Sequence, residues 1–264
     1  MEISNIKLVY FSATYTTKNI LKLVADQING EKTEYDITQT ALENEIFCTE
    51  KDVLVIGAPV YAGRIPEKAR QEFEKIKGNN TPAVILCVYG NRDYDDALLE
   101  IKDLVESNGF KVISAGAFIA QHSIFPQVGS QRPDETDISI IRGFGKKSAE
   151  IIANTSELSS LPSIEVKGNK PYKIPGNIPL KPEGNKNCDQ CGRCVKLCPV
   201  HAIPREAPRK TDKNKCISCG RCIVICHTNA RHFGGLLYKM ASKKFVQANS
   251  QRKEPELHYT IQSL

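Results

Sequence analysis

Eight of the ten cysteines stand in two runs of the same spacing: Cys188, Cys191, Cys194, Cys198 and Cys216, Cys219, Cys222, Cys226. In each run, three thiols two residues apart can wrap one face of an iron–sulfur cube from a single short loop. The fourth cysteine of such a pattern ligates the other cluster when a chain carries two. The spacing therefore predicts two [4Fe–4S] clusters, one on Cys188, Cys191, Cys194 and Cys226, the other on Cys216, Cys219, Cys222 and Cys198. Zinc also takes four cysteines, but from C-x2-C pairs, and each run here oversupplies a pair. Pro199 follows the first run, whereas His227 holds that place in the second. His227 is expected to change a turn and leave the ligands alone. Cys48 and Cys87 lie outside the pattern, and Cys87 sits in an apolar run as a small core residue would.

Clustered cysteines point to metal ligation rather than to a disulfide framework, hence to a reducing, cytoplasmic setting. Met1 to Tyr10 is too short and mixed for a signal peptide, and no apolar run reaches the roughly 18 residues of a membrane span. The formal charge of +6 is unevenly placed. Residues 1–164 hold 17 Lys and Arg against 23 Asp and Glu, while residues 165–264 hold 19 against 7. The basic residues of the second half are scattered among cysteine turns without aromatic interleaving, which argues against nucleic acid. They suit an acidic protein partner or attraction between the two halves.

The cysteine loops need a scaffold, and the first half supplies the pattern of one. Apolar β-rich runs alternate with amphipathic helical runs, as in a doubly wound parallel sheet covered on both faces. Five βα units are predicted. Strands fall at Lys7–Phe11, Glu34–Ile37, Asp52–Gly57, Ala83–Tyr89 and Lys111–Ala120. Helices fall at Thr17–Ile28, Pro66 to Gly78, Asp95–Ser107 and Glu135–Asn154, with Gly143 and Gly145 weakening the middle of the last. Residues 155–184 are rich in Ser, Pro, Gly and Lys and read as an extended linker. A ferredoxin-like α+β module with an internal repeat of about 28 residues follows at 185–231. The tail, 232–264, is expected to be helical near Leu236–Val246 and then extended.

Ligands of open parallel sheets bind at loops leaving the carboxyl ends of the strands. The loop Ser12-Ala13-Thr14-Tyr15-Thr16-Thr17 offers hydroxyls and free helix N–H groups to an anion, and without a Walker-type lysine a monophosphate suits it. This loop resembles the phosphate loop of flavodoxins, which bind flavin mononucleotide (FMN). The resemblance implies that Ser12, Thr14, Thr16 and Thr17 hold the FMN phosphate. Tyr15 stands where that family usually has glycine, and a left-handed backbone there costs it about 1–2 kcal/mol. It further implies that Pro59, Val60, Tyr61, Ala62 and Gly63 after the third strand, and Gly90, Asn91 and Tyr94 after the fourth, flank the flavin ring.

Over nearly its whole length the chain resembles the fused flavodoxin–ferredoxin proteins of anaerobic bacteria, the EFR1-type ferredoxins. The stretches FSATYTTK, PVYAGRIP, YGNRDYDDALLEI, QRPDE and RKEPEL carry that likeness together with the cysteine runs. It implies a flavodoxin-like domain at 1–155, a linker at 156–184, a two-cluster ferredoxin domain at 185–231 and a tail at 232–264. The expected function is electron transfer among FMN, two [4Fe–4S] clusters and a redox partner. Two alternatives stand beside it. One is an FMN-dependent reductase of a small molecule, with His122 and Arg132 of the loop 121–133 lining its cavity. The other is a flavin-free docking domain that presents the clusters. No residue is assigned a catalytic role.

Overall fold

Alternation within the first strand decides the architecture, because it sends side chains to both faces of a sheet. The structure is a computed structural model and describes residues 3–260, so residues 1–2 and 261–264, at the ends of the expected first domain and tail, lie outside the described residues. In β1 (Asn5–Tyr10), Ile6, Leu8 and Tyr10 join one buried cluster and Val9 the opposite one. Helix α1 (Thr16–Ala25) buries Ile20, Leu21 and Val24. Strand β2 (Glu31–Asp36) is almost wholly exposed, and a three-residue strand β3 (Ile46–Cys48) precedes the buried β4 (Asp52–Pro59). Helix α2 (Glu67–Phe73) ends early because the chain turns back into β5 (Ile76–Gly78), which pairs with β3.

The second half of this unit follows the periodicity closely: β6 (Thr81–Tyr89), α3 (Ala97–Ser107), β7 (Phe110–Ile119) and α4 (Glu135–Asn154). Asp134 starts α4 with a reciprocal capping box. Its carboxylate accepts from Asp137 N, and Asp137 accepts from Asp134 N, both at 3.0 Å. The helix runs unbroken through Gly143 and Gly145. Gly145 is where α1 passes, since a Cβ there would come within 2.6 Å of the Val24 carbonyl.

Glu183–Gly184 (β8) opens the cysteine module, which continues through α5 (Arg193–Lys196), α6 (Arg221–Val224) and β9 (Arg231–His232), with β8 paired to β9. The module therefore starts slightly before residue 185. The tail is more ordered than expected: α7 (Gly235–Asn249) leads to β10 (Glu256–Tyr259). Strand β10 pairs antiparallel with β7, giving a sheet in the order β10-β7-β6-β4-β1-β2. The five parallel strands are those expected, with the topological switch between β1 and β4.

The linker is not a free spacer. Leu161 and Ile164 are buried, and Asp96 accepts from Asn169 N at 2.8 Å and Lys173 N at 2.6 Å. The segment is a strap laid over the loop after β6. The opposite charges of the two halves meet inside the chain: Lys167 pairs with Asp93, Lys170 with Asp103, Lys173 with Asp95, and Arg252 with Asp134 and Asp137. Among the described residues, no helix is long and apolar enough to cross a membrane.

Candidate metal centre and the loops beneath it

The internal repeat of the cysteine module is repeated in its backbone. Left-handed residues occur at Gln190 and Ser218, Gly192 and Gly220, and His201 and Asn229, each pair 28 positions apart. Each helix after a C-x2-C turn starts from the left-handed glycine. Each run's last cysteine accepts a backbone N–H at 3.3 Å, Cys198 from Ala202 and Cys226 from Ala230. N–H groups aimed at sulfur are what a cysteinate needs.

Cys216, Cys219 and Cys222 share one enclosed cavity with Cys198 of the first run. Four cysteines around one cavity are a donor set that fits a [4Fe–4S] cluster. Burial pushes the Cys219 thiol up to about 12 and Cys222 up to about 11, so ligation has to displace protons. The other set is more open. Cys194 is buried and feels Cys188, while Cys191 is exposed and lies beside Asp189 and His227, next in sequence to Cys226. His227 Nε2 sits 2.9 Å from Asp189 Oδ2, so it closes a turn across the two runs.

The cysteine loop 217–221 rests on the carboxyl ends of β1 and β4. Ile217 and Cys219 pack into the cluster that contains Val60 and Tyr61, and Gly220 faces Thr14 and Ser123. Arg221, buried, donates to Ser12 O at 3.2 Å and Ala13 O at 3.1 Å, with its guanidinium 4.4 Å from the ring centre of Tyr15. Lys68 donates to Pro199 O and Gln39 to Lys196 O.

The residues expected to hold FMN divide into two groups. Ser12, Thr14, Thr16 and Thr17 do form a hydroxyl-bearing turn at the start of α1. Ser12 Oγ accepts from Lys18 N at 3.0 Å, the Thr14 and Thr16 hydroxyls are 3.4 Å apart, and Thr17 is buried. Tyr15 takes the left-handed conformation, φ 66°, that the family's glycine would take. Pro59, Val60, Tyr61 and Ala62 are half-buried, Val60 and Tyr61 pack with Ile217 and Cys219 in one cluster, and burial raises the Tyr61 hydroxyl well above its usual range. Gly63 backs onto Asp95, and Gly90 onto His122.

Asn91 and Tyr94 both bond to the tail, although Tyr94 also lies in the buried cluster of Val60 and Tyr61. Asn91 Nδ2 donates to Asn249 O and Gln251 O, both at 2.8 Å, and the Tyr94 hydroxyl donates to Glu256 at 2.5 Å. Both are used by the returning tail, which sequence periodicity did not connect to the sheet. The hydroxyl-bearing turn thus fits the phosphate end of FMN, and Ile217 and Cys219 pack in the cluster of Val60 and Tyr61, where the resemblance expects the flavin ring.

His122 and Arg132 also have structural partners. His122 Nδ1 accepts from Ile124 N and Phe125 N at 3.1 Å, and its ring packs on Phe125 and Phe245. Burial lowers its pKa to about 4. Arg132 forms a buried two-point pair with Asp137 and donates to Lys253 O. Cys48 and Cys87 are buried thiols whose pKa values are raised by burial, Cys48 to about 11.

The family described as a flavodoxin domain matches residues 7–110, and the family described as a 4Fe-4S dicluster domain matches residues 183–227. The chain therefore fuses a flavodoxin domain, which implies FMN, to a 4Fe-4S dicluster domain, which implies [4Fe–4S] clusters. Both domains are those of electron transport. No curated protein matches the chain. Among solved structures, similarity extends to the rubredoxin oxygen:oxidoreductase of the anaerobe Desulfovibrio gigas, at 10% identity and TM-score 0.40, over 58% of this chain and 37% of that one. A flavodoxin of Streptococcus pneumonia TIGR4 aligns at 17% identity and TM-score 0.40 over 57% of this chain and 98% of its own. The Fusobacterium nucleatum flavodoxin bound to flavin mononucleotide aligns at 14% identity and TM-score 0.34, over 42% of this chain and 70% of its own. The chain thus spans little more than a third of the first of these and nearly all of the second.

Proposed function

We propose that this chain is an electron-transfer iron–sulfur flavoprotein of the EFR1-type fused family. Two [4Fe–4S] clusters relay single electrons to or from a redox partner in the cytoplasm, and FMN is the further centre that a flavodoxin domain implies. When bound, FMN supplies the ability to take one or two electrons. The observation that carries this reading is the cavity shared by Cys198, Cys216, Cys219 and Cys222, because it lies directly against the switch-point loops. The more open set around the exposed Cys191 is then the one nearer a partner, and the basic surface of the module suits an acidic one. Anaerobic purification tests the proposal: iron near eight per chain, from about four per cluster, with released FMN near one, is expected. Stoichiometric zinc in place of iron would sink it.

A second reading, a flavin-free docking domain, is favoured by the cover that residues 217–221 place over Val60, Tyr61 and the Ser12 loop. Cluster absorption with no flavin, before and after incubation with FMN, is the outcome that selects it. For the reductase reading, Arg132 is tied up with Asp137 and Lys253, and His122 Nδ1 accepts from Ile124 N and Phe125 N.

A further inference from the structure

Two arginines line the cavity of Cys198, Cys216, Cys219 and Cys222, and both leave the same atom without a partner. Arg231 is 2% exposed. Its Nη1 donates to Pro208 O at 2.9 Å, Arg209 O at 3.2 Å and Lys210 O at 3.3 Å, and its Nη2 to Pro182 O at 2.7 Å and Thr211 Oγ1 at 2.5 Å. Five oxygens therefore fix the guanidinium, yet its Nε is buried and unbonded. Arg221, 5% exposed, is held from the other side by Ser12 O, Ala13 O and the face of Tyr15, and its Nε is likewise buried and unbonded. Both side chains belong to the cavity lining.

An unpaired N–H in a dry interior costs about 1–3 kcal/mol, and more on a charged group, so two at one cavity call for an acceptor there. A [4Fe–4S] cube on four cysteinates is an anion whose sulfur atoms accept hydrogen bonds. Reduction adds one further negative charge. A fixed cation with an N–H aimed at the cube stabilises the reduced form more than the oxidised form, and so raises the reduction potential. Arg231 also acts electrostatically on Cys194 of the first set, so Arg221 is the arginine that separates the two clusters.

We propose that Arg221 and Arg231 are positioning residues for the cluster of Cys198, Cys216, Cys219 and Cys222, donating from Nε to its sulfur atoms and raising its reduction potential. Arg221 also joins that cluster to the Ser12–Ala13 turn, so the same side chain touches the cluster cavity and the loop at the switch point. This rests on the cluster reading above.

The test is EPR-monitored reduction of the anaerobically purified full chain at controlled potentials, with iron counted in each sample. Arg221→Met is expected to lower the midpoint of one cluster, leave the other in place and keep iron near eight per chain. Arg221→Lys, which keeps the charge without Nε, should fall between it and the parent. Cys219→Ser should alter the same signal that Arg221→Met moves. Arg231→Met leaves five oxygens without their donor and can fail to fold, so the Arg221 variants decide the matter. A fully loaded Arg221→Met protein with both midpoints unmoved, or with both moved equally, overturns the proposal while sparing the cluster reading. A parent chain without iron overturns both.

Discussion

The guanidinium of Arg221 lies 4.4 Å from the ring centre of Tyr15, and so a residue of the cluster module sits on a strained residue of the turn before α1. Tyr15 holds φ 66°, which costs a non-glycine residue about 1–2 kcal/mol, and the cation–π contact returns about 0.5–2 kcal/mol. Tyr15→Gly loses both terms and is expected to stay within about 1 kcal/mol of the parent. Tyr15→Ala keeps the strain and loses the contact, so it should be less stable by about 1 kcal/mol. Thermal denaturation under argon, comparing the three proteins, checks the order; an alanine variant as stable as the parent would mean that the stacking contributes nothing.

Crossed ligation makes a prediction about pairs of variants. Cys198→Ser should give the spectrum of Cys219→Ser, with the cluster on Cys188, Cys191, Cys194 and Cys226 intact. Cys226→Ser should match Cys191→Ser. Iron counts and low-temperature EPR of the four proteins decide it. Resemblance between Cys198→Ser and Cys191→Ser would instead show that each run serves its own cube.

Acid should loosen the packing of α7 on the loop 121–128. His122 is buried and neutral, its pKa lowered by burial to about 4 from an ordinary 6.5. A lowered folded pKa means that the unfolded chain binds the proton first, so stability is fully present above about pH 6.5 and falls as pH drops toward 4. The loss is on the order of 3 kcal/mol once both pKa values are passed. His122→Asn keeps an acceptor for the Ile124 and Phe125 N–H groups but has no proton to take up. Melting of this variant should show a weaker dependence on pH across that window, and a parallel dependence would assign the effect elsewhere.

Arg132 is 5% exposed at its side chain and Asp137 2%, and Arg132 also donates to Lys253 O. Arg132→Ala leaves the buried Asp137 carboxylate only Arg252 at 3.3 Å and the Asp134 N–H at 3.0 Å, so the cost should fall below the roughly 3–5 kcal/mol of a fully broken buried pair. It should also speed hydrogen exchange at Glu256–Tyr259, since the turn leading to β10 loses an anchor. Exchange unchanged there would show that β10 holds to β7 unaided.

Much of this was legible because it is local. Helix α4 was legible at Glu135 to about Asn154 from the amphipathic run that follows the loop 121–133. The cysteine runs were equally plain, because the turn chemistry of each loop repeats 28 residues on. Strand β2 was read short: EKTEYD is a polar edge that lacks the apolar alternation of β1. Strands β3 and β5 are only three residues long, and β10 is a half-exposed ELHY. The tail contacts of Asn91 and Tyr94 depend on that last strand and its approach, which no local pattern announces. Arg221 was missed for the same kind of reason. Nothing near it in sequence signals a contact with Ser12, more than 200 residues away.

The return of β10 to the sheet has a mechanical consequence. The cysteine module is held at its entrance by the strap over Asp96 and at its exit by a strand hydrogen-bonded to β7. A body hung from one tether can rotate and present any side, whereas one hung from two keeps its handedness and can only be raised and lowered. Any motion that uncovers the Ser12 loop must therefore bring the same cube back to the same place, without a search over orientations.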